Sequence, residues 1–443
     1  MKKSFWLDAV IATSFTFILM WGLVKITQLR LFDAFDSIGQ ALGDVELTDY
    51  VFQNLRDDPL PDTSIVVVNI GYLTRRELAQ QIAIISQFEP KVIGIDAFFH
   101  CGTRPRDTLN CPALKDTLGN AFLGQVIKDA GNVVLVTKLM QSRKLQSTDL
   151  EDVYDSLVLS DPIYRDSAAA RGFASLETGA AFQDDVKTCR SFNPSMMVNG
   201  NRELAFSVQM AMMYDSVKTK EFLERDNFSE VINYRGNIVD VFGQTNYPQM
   251  YYTLDVSDVF QGNFLPGMIK DKIVIFGFLG SKLGDPTWSD KFYTPLNKKM
   301  AGKANPDMFG VVVHANIVSM IMNRDYVNKM DKWQEISMAV IICLLNVALF
   351  SLIHVRLPDW YDGITKLLQI LELLLFTVLM VMIFSWYNFK FEITLTLAAI
   401  ALVGDAYEIY IGVVKNLLNR LRRLGFRGLF TKRRKRVLTP ENK

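Results

Sequence analysis

Four apolar stretches constrain this chain more than any other feature. They fall at residues 6–29, 336–355, 367–387 and 393–414. Each is close to the roughly 20 residues needed to cross a bilayer. Between the first and second stretch lie residues 30–332, a segment of ordinary polarity. This layout predicts four transmembrane α-helices and one large domain held on a single side of a membrane. The hydrophobic content of 49% is high for a soluble chain and agrees with it.

Charge gives the orientation. Met1-Lys2-Lys3 precedes the first stretch, and Lys25-Ile26-Thr27-Gln28-Leu29-Arg30 closes it. That exit holds no small-x-small cleavage signature, so the stretch reads as an uncleaved anchor rather than a signal peptide. From Lys415 to Arg436 there are ten Lys or Arg and no acid. Such a basic end is retained in the cytoplasm. Both termini are then expected in the cytoplasm of a bacterium, with residues 30–332 in the periplasm and the spans in the inner membrane. The tail, 415–443, interleaves its basic residues with Leu421, Leu424, Phe426, Leu429 and Phe430. That pattern suits an anionic lipid surface, and no nucleic-acid partner is expected. Cys101 and Cys111 sit close together in one polar loop. An oxidising compartment permits a disulfide between them, with Cys189 as an alternative partner. Cys343 lies in the second span and reads as apolar filling.

Within the large segment, Ser64–Phe99 has the pattern of a βαβ unit. The run Ile65-Val66-Val67-Val68 is a buried-type strand, and Leu78, Ile82, Ile85 and Phe88 follow at helical spacing. Glu89-Pro90 ends the helix, and Val92-Ile93-Gly94-Ile95 forms a second strand. Strands joined this way are parallel, with a right-handed crossover. A helix is expected over 113–130 and a third strand over 132–138. Residues 141–171 read as a polar insertion with local helix at most. Further elements are expected as strands at 172–176, 231–236 and 272–277, and as helices at 202–214 and 255–261; 310–322 finishes as a helix. The fold class is therefore α/β: a mixed or mostly parallel sheet with helices on both faces, plus four transmembrane helices.

In such a sheet ligands bind at the carboxyl ends of the strands. Asn69 and Asp96 end the first two strands, so both are candidate ligand contacts, although Asp96 equally suits a loop cap. Asp285 follows Gly277-Phe278-Leu279-Gly280-Ser281-Lys282, a turn whose amides can cradle an anion but whose spacing is not a phosphate-binding Walker loop. His314 and Asn316, after an apolar run, complete the candidate set; a lone His among apolar neighbours is more often a packing residue. The three histidines are scattered and no His or Cys pair has ligand spacing, so neither metal nor cofactor is expected. No nucleophile–base arrangement stands out, so the chain is not read as an enzyme. Glu372, Asp405 and Glu408 lie inside apolar spans, where charges are costly and face a bundle interior or a partner. Asp405 and Glu372 are expected to be buried, and Glu408 is balanced between burial and pairing with Lys366 or Lys415.

Five motifs then occur in order: KVIGIDAFF, INYRGN at 232–237, KIVIFGFLGSKLGD at 272–285, Tyr293-Thr294-Pro295-Leu296, and GVVVHAN at 310–316. Together they resemble the type-two CHASE domain, the cyclase- and histidine-kinase-associated sensory extracellular domain. The resemblance covers about residues 30–330. It implies one helix before the sensor and three after it, and an extracytoplasmic sensor relaying to a cytoplasmic output module. The family pattern ends the first strand in acids; here those positions are Asn69 and Gly71. Residues 415–443 are too few for an output domain. The expected function is a receptor subunit signalling through a separate protein partner, with a homo-oligomer as a further expectation. A scaffolding subunit of an envelope complex is the alternative, and a transporter or ion-pathway component using the intramembrane acids ranks third.

Overall fold

The computed structural model describes residues 3–27, 47–101, 111, 115–142, 145, 153–176, 188–239, 249–297, 305–417 and 420. It separates into two compact units. One comprises residues 40–328, and the other comprises residues 1–39 with 329–443.

The first unit contains, in chain order, strands β1 (Asp62–Asn69), β2 (Val92–Ile95), β3 (Val133–Met140), β4 (Ser156–Val158), β5 (Ala170–Phe173), β6 (Ser191–Phe192), β7 (Ser195–Val198), β8 (Asn201–Leu204), β9 (Glu230–Val231), β10 (Tyr251–Leu254) and β11 (Ile273–Gly277), of which β6 with β9 and β7 with β8 form separate two-stranded pairs. The main sheet runs β10-β1-β11-β2-β3, with β5 and β4 both paired to β3. Every pairing in it is parallel except β3 with β4. The fold is thus mixed α/β with a mostly parallel sheet.

Burial on both faces explains the continuous apolar runs. Val66, Val68, Ile93, Ile95, Val133, Leu135, Val274 and Phe276 join one core cluster with Leu78, Ile82 and Ile85 of the Arg75–Ser86 helix and Leu123 and Ile127 of the Thr117–Ala130 helix. Thr74 starts the first of these helices in a capping box with Glu77, which satisfies two of its unpaired amides. The opposite face receives the Phe206–Tyr214 and Gly310–Asn323 helices. A side-chain carbon at Gly94 would come within 2.2 Å of Met210 Sδ, so glycine there lets the Phe206–Tyr214 helix lie against β2.

β11 inserts between β1 and β2, which run parallel. The structure departs from the sequence reading in three places. Residues 202–204, expected as helix, belong to β8, which forms a hairpin with β7. The expected insertion at 141–171 contains β4, paired to β3. The strand expected over 231–236 shrinks to β9, paired with β6. Cys101 and Cys111 form a disulfide with their Cα atoms 5.5 Å apart, and Cys189 is buried and outside that bridge.

The second unit contains helices Lys3–Thr27, Lys332–Arg356, Tyr361–Tyr387 and Thr394–Ile409, the last continued by a π-turn at Tyr410–Lys415. All four are long and apolar enough to cross a membrane. Ala9, Ala12, Cys343, Val347, Phe350, Ala399 and Val403 form their shared interior. Small residues at such interfaces let helix backbones approach closely.

Candidate functional site

The carboxyl ends of β10, β1, β11 and β2 lie side by side, as sheet order requires. Asp255 follows β10, Asn69 ends β1, Gly277 ends β11 and Asp96 follows β2. This rim holds three of the five candidate residues, and they have different roles.

Asn69 is wholly buried. Its Nδ2 donates to Asp255 Oδ1 at 2.8 Å and to the Gly280 carbonyl at 3.2 Å. Its Oδ1 accepts from the amides of Gly71 and Leu279, both at 2.9 Å. An amide side chain has two donor hydrogens and two acceptor lone pairs, and here all four are used inside the protein. Asn69 therefore ties β1 to the loops after β11 and β10, with no capacity left for a ligand. A carboxylate at this position donates nothing and its protonated form only one bond, so the same knot cannot form around an acid.

Asp285 is similarly committed. Its Oδ2 accepts from the Ser281 amide at 2.8 Å and from the Ser281 hydroxyl, and its Oδ1 accepts from the Thr287 amide at 2.9 Å. These bonds hold its carboxyl below the usual carboxylate range. Gly280 has φ +90°, and a side chain there would meet Asp285 Cβ at 2.4 Å, so glycine is needed for the turn to close. The amides of this turn bind the protein's own carboxylate instead of an outside anion.

Asp96 is different. It is partly exposed, and among the described residues its carboxylate has no hydrogen-bond partner. Burial, with a smaller contribution from the Asp290 charge, pushes its pKa up to about 7. Burial also raises Asp290 to about 6. Asp290 keeps more solvent contact, and titration in this corner is assigned chiefly to Asp96. The rim is thus closed at β1 and β11 and chemically open at β2.

His314 and Asn316 lie elsewhere, on the buried Gly310–Asn323 helix. Asn316 Oδ1 accepts from the Arg235 and Gly236 amides at 2.7 and 3.2 Å, and its Nδ2 donates to the Gly236 and Val312 carbonyls at 3.0 and 2.8 Å. It too is saturated. His314 packs edge-on against Phe206 with ring centroids 5.3 Å apart. Burial lowers its pKa to about 4, and its Nδ1 has no partner among the described residues. It is neutral throughout the physiological range and is a packing residue.

The sequence reading missed a polar seam that joins the two ends of this unit. Arg56, at the end of the Leu47–Asn54 helix, donates from Nη1 to the Tyr234 carbonyl at 2.8 Å and pairs with Asp325 at 3.5 Å. Arg235 Nη1 reaches the Leu60 carbonyl at 2.6 Å, and its Nε reaches Ser319 Oγ at 2.9 Å. Ser319 Oγ and Asn323 Nδ2 donate to Asp62 Oδ2 at 2.6 and 3.0 Å. Arg190 grips Asp49 through Nε and Nη2 at 3.0 and 2.6 Å. Arg235 was visible in the INYRGN motif, but its partners are far away in the chain.

With this geometry in place, family comparison is decisive. The CHASE2 domain model matches residues 11–352, well over half the chain. The chain belongs to the CHASE2 domain family. Comparison with curated proteins and with solved structures gives no match. CHASE2 is a sensory extracellular domain family, so the sheet unit is a sensory-type domain.

The intramembrane acids of this CHASE2 protein divide as well. Glu372, half-buried, accepts from Asn346 Nδ2 at 2.8 Å. Asp405 was expected to be buried; it is instead on the surface of the helical unit, paired with Lys366, and both side chains are more than half exposed. The correction has a simple cause: Lys366 lies on the neighbouring helix close enough to neutralise Asp405 without burial. Glu408 is exposed, beside Asp362 and Asp405. Lys415 instead pairs with Asp8 at 2.8 Å. Among the described residues no His, Cys, Asp and Glu grouping suits a metal ion.

Proposed function

We propose that this CHASE2 protein is a receptor subunit of a bacterial inner membrane. Its sheet unit faces the periplasm, both termini are cytoplasmic, and a separate protein partner receives the signal. In this reading the chain itself catalyses nothing and needs no cofactor. The seam carries the proposal. It binds Arg56 and Asp62 on the inbound side to Asp325, Ser319 and Asn323 on the outbound side, with Arg235 bridging Leu60 and Ser319. These segments lead in sequence toward the first and second spans, so the two ends of the sheet unit are tied to each other. The Cys101–Cys111 disulfide supports an oxidising compartment, and the basic tail supports the orientation.

Crosslinking mass spectrometry after copurification in mild detergent tests this. The proposal expects a partner in fixed ratio, crosslinked through Lys366, Lys415 or the tail lysines. A chain that purifies alone, or one whose tail is labelled by a membrane-impermeant reagent in intact spheroplasts, contradicts it. The saturation of Asn69 favours a second reading, in which the domain is a scaffold that docks protein and has no small ligand. Ligand binding separates the two.

A further inference from the structure

Away from the rim knot, a cavity of about 260 Å³ opens beside the middle of β3, against the amino end of β5 that pairs with it. Leu135, Leu159 and Ala170 give it apolar walls, while Arg165, Asp166 and Arg171 bring charge to it. Ser160 also lines it; this residue is 4% exposed and its hydroxyl has no hydrogen-bond partner among the described residues. The guanidiniums are more open, at 37% and 43%. Arg165 contacts Asp166 through Nε at 2.9 Å, and among the described residues its two Nη groups have no protein partner. Arg171 makes a 3.4 Å contact to Glu203 through Nη2.

We propose that this cavity binds a small organic monocarboxylate with a short apolar chain. A guanidinium presents paired donors that match a carboxylate. Asp166 and Glu203 each contact one of the two arginines, which disfavours a dianion and leaves the Arg165 Nη pair to meet one carboxylate. The apolar walls suit carbon rather than the fully oxygenated surface of phosphate or sulfate. The volume is below the 300–1,000 Å³ common for drug-sized ligands, which limits the chain to a few carbons. As an account of what the receptor senses, the inference rests on the proposed function; as a binding site it stands apart from it.

Isothermal titration of the purified full-length protein in detergent tests it, with butyrate, its neutral isostere butyramide, and inorganic phosphate as probes. Saturable binding of butyrate at one site is expected, with butyramide and phosphate at least tenfold weaker. Arg165→Gln and Arg171→Gln should each weaken butyrate about tenfold, and Ala170→Leu, which fills the cavity, should abolish binding. Ligand-free melting curves check that each variant folds; where a Gln variant does not, Arg→Lys replaces it and should still lose several-fold, because the charge stays and the fork is lost. No saturable butyrate binding overturns the proposal. So does equal affinity for butyramide or phosphate, or full affinity in the folded arginine variants. Failure here leaves the copurification result untouched, so the two can be told apart.

Discussion

Two stretches of the same sheet edge reach opposite chemical ends. At β1 and β11, Asn69 uses all four of its hydrogen-bonding positions to join three loops, and Asp285 fills the amides of its own turn. At β2 and β3, the Asp96 carboxylate has no hydrogen-bond partner among the described residues, and a cavity beside β3 is lined by two arginines. The first stretch gives stability, and the second keeps polar groups in reserve for something outside the chain. An α/β sheet therefore need not use its whole carboxyl rim for binding; in this domain the central part has become structure, and the side toward β3 remains receptive.

Replacing Asn69 should break this contrast most severely. Asn69→Asp loses both donated bonds and sets a carboxylate against Asp255 in a fully buried place. Removing one partner from buried networks of this kind costs about 3–5 kcal/mol. Thermal unfolding of the detergent-solubilised protein should show a large drop, and Asn69→Ala should fall by about 3 kcal/mol. An unchanged melting point in either variant would mean that the knot is not holding the loops.

Asp96 should behave in the opposite way. Its folded pKa, about 7, is above the ordinary Asp value, so the folded state binds the proton more tightly than the unfolded state. Its penalty is absent below pH 4, grows as pH rises from about 4 to 7, and is constant above that. Asp96→Asn should therefore stabilise the protein at pH 8 by up to about 2 kcal/mol, after discounting for partial exposure, and do almost nothing at pH 4. Melting curves at the two pH values check this. A variant equally stable with the parent at pH 8 would show that Asp96 is well solvated.

Smaller effects refine the picture. Lys366→Met should cost about 1–2 kcal/mol, more than a water-exposed ion pair, because it leaves Asp405 unpaired within an apolar span; an unchanged melting point would show that Asp405 reaches water without its partner. His314→Phe should leave the pH dependence of melting between pH 5 and 8 unchanged, since burial already keeps His314 neutral there. A difference in slope over that range would restore it as a proton sensor.

Much of the fold was legible because it depends on local pattern. The run Ile65–Val68, the apolar spacing of Leu78, Ile82 and Ile85, and Val92–Ile95 each identify their own element, and the four spans follow from length and composition. Neighbour relations did not follow. β11 is as apolar as β1 and β2, and nothing local shows that it inserts between them. The roles of Asn69 and Asn316 were hidden for the same reason, since their partners at Asp255, Leu279, Gly280, Arg235 and Gly236 are brought near only by the folded chain. Residues 202–204 failed differently: their spacing fits the helix that follows, but pairing with Ser195–Met197 draws them into a hairpin.

Hydrogen–deuterium exchange on the full-length protein, with and without butyrate, tests the contrast most directly. The Gly71 and Leu279 amides, held by Asn69, should exchange slowly in both conditions, while the segment from Ser160 to Arg171 should exchange faster and slow markedly when butyrate is added. Rapid exchange at Gly71 and Leu279, or a Ser160–Arg171 segment indifferent to butyrate, would contradict the division of the rim into a closed part and a receptive one.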